Sequence, residues 1–312
     1  MLEQTDEAKK PAFWTNAFLQ DRSSIGLAFF RPFAAFTVGA HMIPTLLNLQ
    51  DNYLPAAFKE KNASFFTPGI LSLVEKSPIV WVYFMAALFY LSLFCFTIGF
   101  YSQTACILMT LCCYYFYALN ALHIGTLSFD ILLVTLFLLC VTGYHGDTFS
   151  LDALRRTRSL LSETKRPFFI QRLLQLQIAF TYFYTALGKF TGAGNWLTAN
   201  PLYYLWNSCQ ESVVKQFIGR AYLSKHPDIC YAIGIGVIAT ELSLPFLLFI
   251  KRTRAFGIAA GFLFHILLLM TLHVPTIFFF LFSPQLLLFV EPETMSRWKN
   301  YLVSPNSSAV KT

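Results

Sequence analysis

Charged residues are scarce in this sequence. Asp, Glu, Lys and Arg together make up 12% of the 312 residues, about half of the share that is usual in soluble domains. Hydrophobic residues make up 56% of the chain, and they are gathered into runs long enough to cross a hydrocarbon core, which takes about 20 residues per helix. This composition excludes a water-soluble globule and predicts an integral membrane protein.

Several motifs that carry chemistry in other enzymes are missing. The sequence contains no His-Glu-x-x-His, no Cys-x-x-Cys, no Gly-x-Ser-x-Gly, no phosphate-binding loop and no dinucleotide fingerprint. No two histidines have the i, i+3 or i, i+4 spacing that is typical of metal ligands on a helix. We therefore expect no dedicated metal site.

The positive net charge of +7 does not indicate a nucleic-acid-binding protein, because no run interleaves basic and aromatic residues. Lys and Arg instead flank the apolar runs, and most of them fall in the segments that share a side with the N-terminus. The positive-inside rule then predicts that both termini lie in the cytoplasm. The first 23 residues carry several charges before any apolar run, so we expect no removable signal peptide.

The apolar runs predict an all-α polytopic bundle of about eight transmembrane helices, because lipid offers no hydrogen-bond partner to an open strand edge. The predicted spans are 24–47, 78–100, 103–120, 126–145, 168–189, 229–250, 255–273 and 275–290. This assignment divides the chain into a cytoplasmic N-terminal segment (1–23), a transmembrane domain (24–290) and a cytoplasmic tail (291–312).

Two predicted outer loops, 49–77 and 190–228, are long enough to form a lid over the bundle. The second contains an amphipathic stretch that predicts a helix on the membrane surface. Cys209 falls within this stretch, and Cys230 follows the loop. The residues leave open whether these two cysteines form a disulfide bond or remain free thiols.

Charged side chains inside membrane spans are costly and are therefore candidates for function. The sequence has four of them: Arg31, Asp130, Lys189 and Glu241. For Arg31 the residues favour a structural ion pair with Asp130 or with Glu241. Glu241 and His265 occupy the middle of adjacent predicted spans, which predicts a hydrogen-bonded pair.

Lys189 ends an aromatic-rich segment that begins at Tyr182, and Trp196 follows in the loop. A lysine at a helix end can extend its ammonium to the membrane surface, which is a structural role. A desolvated lysine can instead present a neutral amine and act as a general base. The residues alone support both interpretations.

Three segments, in this order, resemble a known family. They are Ser128-Phe129-Asp130 followed by Thr148-Phe149-Ser150-Leu151-Asp152, the stretch from Tyr182 to Trp196, and Glu241-Leu242-Ser243-Leu244-Pro245 followed by Gly261-Phe262-Leu263-Phe264-His265. Together they are similar to the HTTM domain, the transmembrane domain of vitamin K-dependent gamma-glutamyl carboxylases and their short bacterial relatives. The resemblance runs from Arg31 to the last predicted span and implies a bacterial cell membrane protein.

The resemblance implies that Lys189 is the base that deprotonates a hydroquinone, so a quinone is the cofactor it suggests. Carboxylases carry a histidine where this sequence has Leu127, and His123, one helical turn earlier, is the candidate replacement. Carboxylases also continue into a large lumenal domain, whereas here a short polar tail follows the last span. These two departures leave carboxylase activity an open question.

Two functions from different classes therefore fit the sequence. The first is the modification or maturation of an exported peptide or a membrane-soluble small molecule, as in short relatives that mature a sporulation-delaying toxin. In it Lys189 is the base, Glu241 and His265 shape the cavity, and Tyr182 and Trp196 form its walls. The second is a non-enzymatic carrier, immunity or scaffold protein that binds a lipid or peptide.

Overall fold

A computed structural model describes residues 15–53, 78–119, 127–191, 196–207, 219–271 and 276–303. Two short strands, β1 (Asp21–Ser23) and β2 (Lys165–Pro167), pair antiparallel. The α-helices are α1 (Ile25–Leu47), α2 (Leu49–Tyr53), α3 (Ile79–Ile98), α4 (Ser102–Leu119), α5 (Leu127–Cys140), α6 (Leu151–Thr157), α7 (Phe169–Thr191), α8 (Pro201–Asn207), α9 (Arg220–Leu223), α10 (Pro227–Phe249), α11 (Arg254–Thr271), α12 (Thr276–Leu286) and α13 (Pro292–Val303).

The predicted all-α membrane bundle is confirmed. Helices α1, α3, α4, α10 and α11 are each long and apolar enough to cross a membrane, and shorter apolar helices cover residues 129–140 and 279–289. Helix α7 also coincides with a predicted span, but three glutamines lower its hydropathy. Two of them, Gln171 and Gln175, donate to the carbonyl of Leu288 at 2.6 and 2.7 Å. Their polarity is thus satisfied inside the bundle.

Consecutive long helices pack against one another, and α12 closes the bundle by returning to α1. The turn between α3 and α4 illustrates how the hairpins form. Gly99 ends α3 with φ of 69°, and its N–H and that of Phe100 donate to the last turn of the helix. Glycine adopts this left-handed conformation without steric cost, so α4 begins only three residues later.

A proline in α12 creates a hydrogen bond between helices. Pro284 has no N–H, so the carbonyl of Phe280, four residues earlier, loses its helical donor. The hydroxyl of Thr37 in α1 donates to this carbonyl at 2.8 Å. The proline therefore supplies an acceptor that joins α12 to α1.

A polar cap closes one end of the bundle, which we call the Asp147 end. The buried carboxylate of Asp147 accepts hydrogen bonds from Arg166 at 2.8 Å, Arg156 at 3.0 Å and Ser24 at 3.2 Å. Ser24 directly follows β1, and Arg166 lies in β2. The cap therefore fixes the starts of α1 and α7 beside each other.

The predicted ion pairs of Arg31 are wrong among the described residues. Its guanidinium donates to two backbone carbonyls of the Asp147 end, those of His145 at 2.8 Å and Phe149 at 2.5 Å. Asp130 accepts instead from the hydroxyl of Tyr117 at 2.7 Å. Arg31 lies only six residues into α1, near the Asp147 end, whereas Glu241 contacts Lys189 near the far end of α7.

Residues 291–312 were predicted to form a cytoplasmic tail, and α13 within them packs against α1 and β1. Met295 is buried, and the ammonium of Lys299 lies 2.5 Å from the carboxylate of Glu163. Apolar residues on one face of an otherwise polar helix explain this docking. The boundaries of the three predicted segments remain predictions.

Candidate functional site

The candidate site lies along the buried face of α7. Tyr182, Ala186 and Lys189 follow one another at i, i+4 and i+7, which places them on one side of the helix. Tyr182 and Ala186 are buried against the bundle, and α7 packs against α10, α12 and α5. Lys189 is therefore directed toward α10 and not toward lipid.

Lys189 and Glu241 form a close ion pair between α7 and α10. The ammonium nitrogen lies 2.8 Å from Oε1 and 2.6 Å from Oε2 of the carboxylate. The Lys189 side chain is 18% exposed and the Glu241 side chain 8%. An ammonium bound by both oxygens of a nearly buried carboxylate is held by charge-assisted hydrogen bonds, which are stronger than neutral ones.

Trp196 completes the surroundings of the ammonium. The Lys189 ammonium lies 5.3 Å from the centroid of the indole ring, within the range of a cation–π interaction. The ring packs over α10 at Gly234, where an added Cβ would lie 3.7 Å from the indole. Trp196, which was predicted to line the cavity, thus contacts the ammonium of Lys189 itself.

A second polar pair lies deeper on the same face of α7. The hydroxyl of Tyr182 and Nε2 of His265 are 2.6 Å apart, and the imidazole stacks on the Phe282 ring with centroids separated by 5.3 Å and planes tilted by 7°. The seven residues between Tyr182 and Lys189 correspond to about 10 Å along a helix axis. The two pairs therefore form successive polar layers.

The predicted hydrogen bond between Glu241 and His265 is replaced by these two contacts. Both side chains are buried, as their positions in the middle of apolar helices suggested. Each of them, however, finds its partner on α7, the helix that lies between α10 and α5. The sequence indicated the burial of the two groups but not the helix that each one faces.

The covering segment 190–228 is described in part. The amphipathic prediction matches α8, which buries Leu202 and Trp206 against α10 beside Cys230. The thiol of Cys230 donates to the carbonyl of Leu223 at 3.1 Å. Cys209 and the candidate His123 lie outside the described residues, as does most of the predicted loop 49–77.

Comparison with protein families shows the family to which this chain belongs. The model of the HTTM domain matches residues 20–293, nearly the whole chain. The chain belongs to the HTTM family. As an HTTM protein it is an integral membrane protein of the carboxylase-related family. No curated protein and no solved structure matches the chain.

Sequence reasoning missed two polar features of this HTTM bundle. One is Asp147, which had no apolar surroundings in the sequence to mark it as buried. The other is a cluster on α5, α7 and α12 in which Gln177 and Gln285 both donate to Thr135 at 3.0 Å. Glutamines within apolar runs were the available signal for this cluster, because a polar group buried in a membrane requires a partner.

Proposed function

We propose that this HTTM protein is a membrane-bound enzyme that modifies an exported peptide or a membrane-soluble small molecule, with Lys189 as its general base. The observation that carries this proposal is the contact of the Lys189 ammonium with both oxygens of Glu241, at 2.8 and 2.6 Å, beneath Trp196. A lysine base needs an acceptor that takes its proton before the substrate is deprotonated. Glu241 is placed to do so.

The proton steps carry one proton from the substrate to water through the pair. A proton passes from Nζ of Lys189 to the carboxylate of Glu241, which leaves a neutral amine and a neutral carboxylic acid. Both charges disappear, so a site with little water favours this transfer more than bulk water does. The amine then takes a proton from the substrate, and the ion pair is restored when Glu241 releases its own proton to water.

The family resemblance suggests a hydroquinone hydroxyl as the acid that Lys189 deprotonates. Two features of the site fit a flat, weakly acidic ring. Trp196 presents an aromatic face next to the ammonium, and Tyr182 and His265 supply a hydroxyl and an imidazole two helical turns deeper. Such a ring would be bound between aromatic side chains, with its hydroxyl directed at Lys189.

A carrier or scaffold role is the second candidate, and the ion pair also favours it. A lysine that remains an ammonium, held by Glu241 and Trp196, can bind an anionic head group without any proton transfer. In this case Lys189 contributes only its positive charge. In this binding role an arginine could replace Lys189, because it also carries a positive charge. In the enzymatic role it could not, because arginine stays protonated and cannot act as a base.

The test compares strains of the encoding organism that lack the gene and are complemented with wild-type protein, Lys189→Arg or Lys189→Gln. Untargeted mass spectrometry of membrane lipids, quinones and secreted peptides identifies any product that depends on the wild-type protein. We expect this product to disappear in both variants while the proteins accumulate normally. Lys225→Arg, at an exposed lysine in a neighbouring segment, is the matched control and should retain the product.

Other results distinguish the two candidates. If Lys189→Arg keeps the product and Lys189→Gln loses it, the charge and not the base is required. If no lipid, quinone or peptide differs between the deletion strain and the wild type, the enzymatic proposal is overturned and the binding role is preferred.

A further inference from the structure

A groove of about 540 Å³ runs between α5 and α7 on the side of α7 that faces away from Lys189. Its lining is almost entirely apolar and aromatic. Its lining includes Asp130, Val134, Phe180, Phe183, Tyr184 and Leu187. Phe180 is 67% exposed and Tyr184 is 69% exposed. Since α5 and α7 coincide with predicted spans, the groove opens toward the lipid.

Asp130 is the one side chain with a formal charge among the described residues that line this groove. It is half-buried, and its Oδ1 accepts the hydroxyl of Tyr117 at 2.7 Å. The other polar groups are satisfied nearby. Gln177 donates to the carbonyl of Ile131 at 2.7 Å, and Thr181 donates to its own helix at 2.9 Å.

Asp130 is therefore the one formal charge among the described residues at the edge of this apolar groove. A charge placed in a membrane is costly unless an opposite charge meets it. The aromatic faces of Phe180, Phe183 and Tyr184 carry negative quadrupole density, which also attracts a cation. Carboxylate and aromatic rings thus favour the same sign of ligand, and both disfavour an anion.

We propose that this groove binds a lipophilic cation, a bulky apolar body carrying an ammonium or phosphonium charge, which enters from the bilayer. The positive charge lies at Asp130, and the apolar body contacts Val134, Phe180 and Leu187. This site is separate from the Lys189–Glu241 pair, because it lies on the opposite side of α7. Its existence therefore does not depend on the proposed enzymatic activity.

The test uses the purified protein in nanodiscs of phosphatidylcholine with radiolabelled tetraphenylphosphonium as the probe. We expect saturable binding that weakens by about tenfold or more in Asp130→Asn, which removes the charge and keeps the shape of the side chain. Tetraphenylborate, an anion of the same shape, should not compete. Tyr117→Phe removes the hydrogen bond to Asp130 but keeps the carboxylate, so it should retain binding.

A second variant keeps the proposal testable if Asp130→Asn fails to fold. Val134→Trp fills the groove and leaves Asp130 itself in place, and it should also abolish saturable binding. Lys189→Gln should bind the probe as the wild type does, even where it abolishes the proposed enzymatic activity. Three results overturn the inference. They are no saturable binding, equal binding by folded Asp130→Asn and the wild type, or competition by tetraphenylborate that equals competition by unlabelled tetraphenylphosphonium.

Discussion

Lys189 and Glu241 join α7 to α10 through two hydrogen bonds of 2.8 and 2.6 Å from a single ammonium. Removing one partner leaves the other charge buried without compensation. We expect Glu241→Leu to lower the free energy of unfolding by roughly 3 kcal/mol, as for other broken buried pairs. The measurement is thermal unfolding of the purified protein in detergent, followed by circular dichroism.

The double variant Lys189→Met/Glu241→Leu provides the matching comparison. It removes both charges together, so it should be more stable than Glu241→Leu alone. A double variant whose loss equals the sum of the two single losses would show that the pair contributes no coupling between the helices.

The hydrogen bond from Thr37 to the carbonyl of Phe280 gives a second prediction. Thr37→Val should cost about 1 kcal/mol, because it leaves a half-buried carbonyl without a donor. In a Pro284→Ala background the restored N–H of residue 284 satisfies that carbonyl, so the same substitution should cost clearly less. Both costs are measured as shifts in thermal unfolding temperature.

Thr97→Val is the control for this comparison. The Thr97 hydroxyl is exposed and donates at 2.7 Å to Leu93 within its own helix. Its loss should leave the unfolding temperature nearly unchanged in both backgrounds. Equal effects of Thr37→Val with and without Pro284 would argue against a bond that depends on the proline.

The long helices were predictable because membrane insertion requires runs of apolar residues, and such runs are visible in the sequence. The partners of polar groups were not. Arg31 binds backbone carbonyls, and a backbone carbonyl leaves no mark in the sequence that identifies it as an acceptor. The docking of α13 could not be predicted for another reason. Met295 and Lys299 are buried, but they lie in a segment whose polar sequence does not indicate burial.

The contact between Glu163 and Lys299 predicts an effect of pH on α13. The hydrogen bond from Lys299 holds the pKa of the Glu163 carboxyl below its ordinary value of 4.5. Because the pKa is lower in the folded protein, the contact stabilises the docked helix at neutral pH. This stabilisation is lost as the pH falls below 4.5 and through the folded pKa.

Hydrogen exchange of residues 292–303, corrected for the intrinsic rate at each pH, measures this effect. We expect protection to fall as the pH drops below 4.5 in the wild type and to change much less in Glu163→Gln. Glu293→Gln, at the start of the same helix, is the control and should behave as the wild type does. An unchanged pH profile in Glu163→Gln would show that other groups release the helix.

The packing of α4 against α5 is tested by two cysteines. The sulfur atoms of Cys106 and Cys140 lie 3.7 Å apart, close enough for a disulfide bond of about 2.05 Å after a small side-chain movement. Oxidation with copper–phenanthroline should link them, and peptide mass spectrometry detects the loss of two hydrogens. Cys106→Ser should abolish the link and Cys112→Ser should leave it intact. Pairing of Cys112 with Cys140 instead would contradict the register.

The candidate site itself was only partly readable from the sequence. Lys189, Glu241, Tyr182 and His265 were all identified, because ionisable and aromatic groups in apolar runs are conspicuous. Their pairing depends on which faces of α7, α10 and α11 meet. A period of 3.6 residues indicates which residues share a face of one helix, but it contains no information on how two helices are rotated relative to each other.

The hydrogen bonds between Ser24 and Thr164, beside the β1–β2 pair, join positions 140 residues apart in the chain. During synthesis Ser24 emerges first, and the first four predicted spans follow before Thr164 becomes available. The Asp147 end can therefore close only after the first four predicted spans are in place. Assembly of this bundle has an intrinsic order, in which the start of α1 remains without its final partners until the segment preceding α7 has been made.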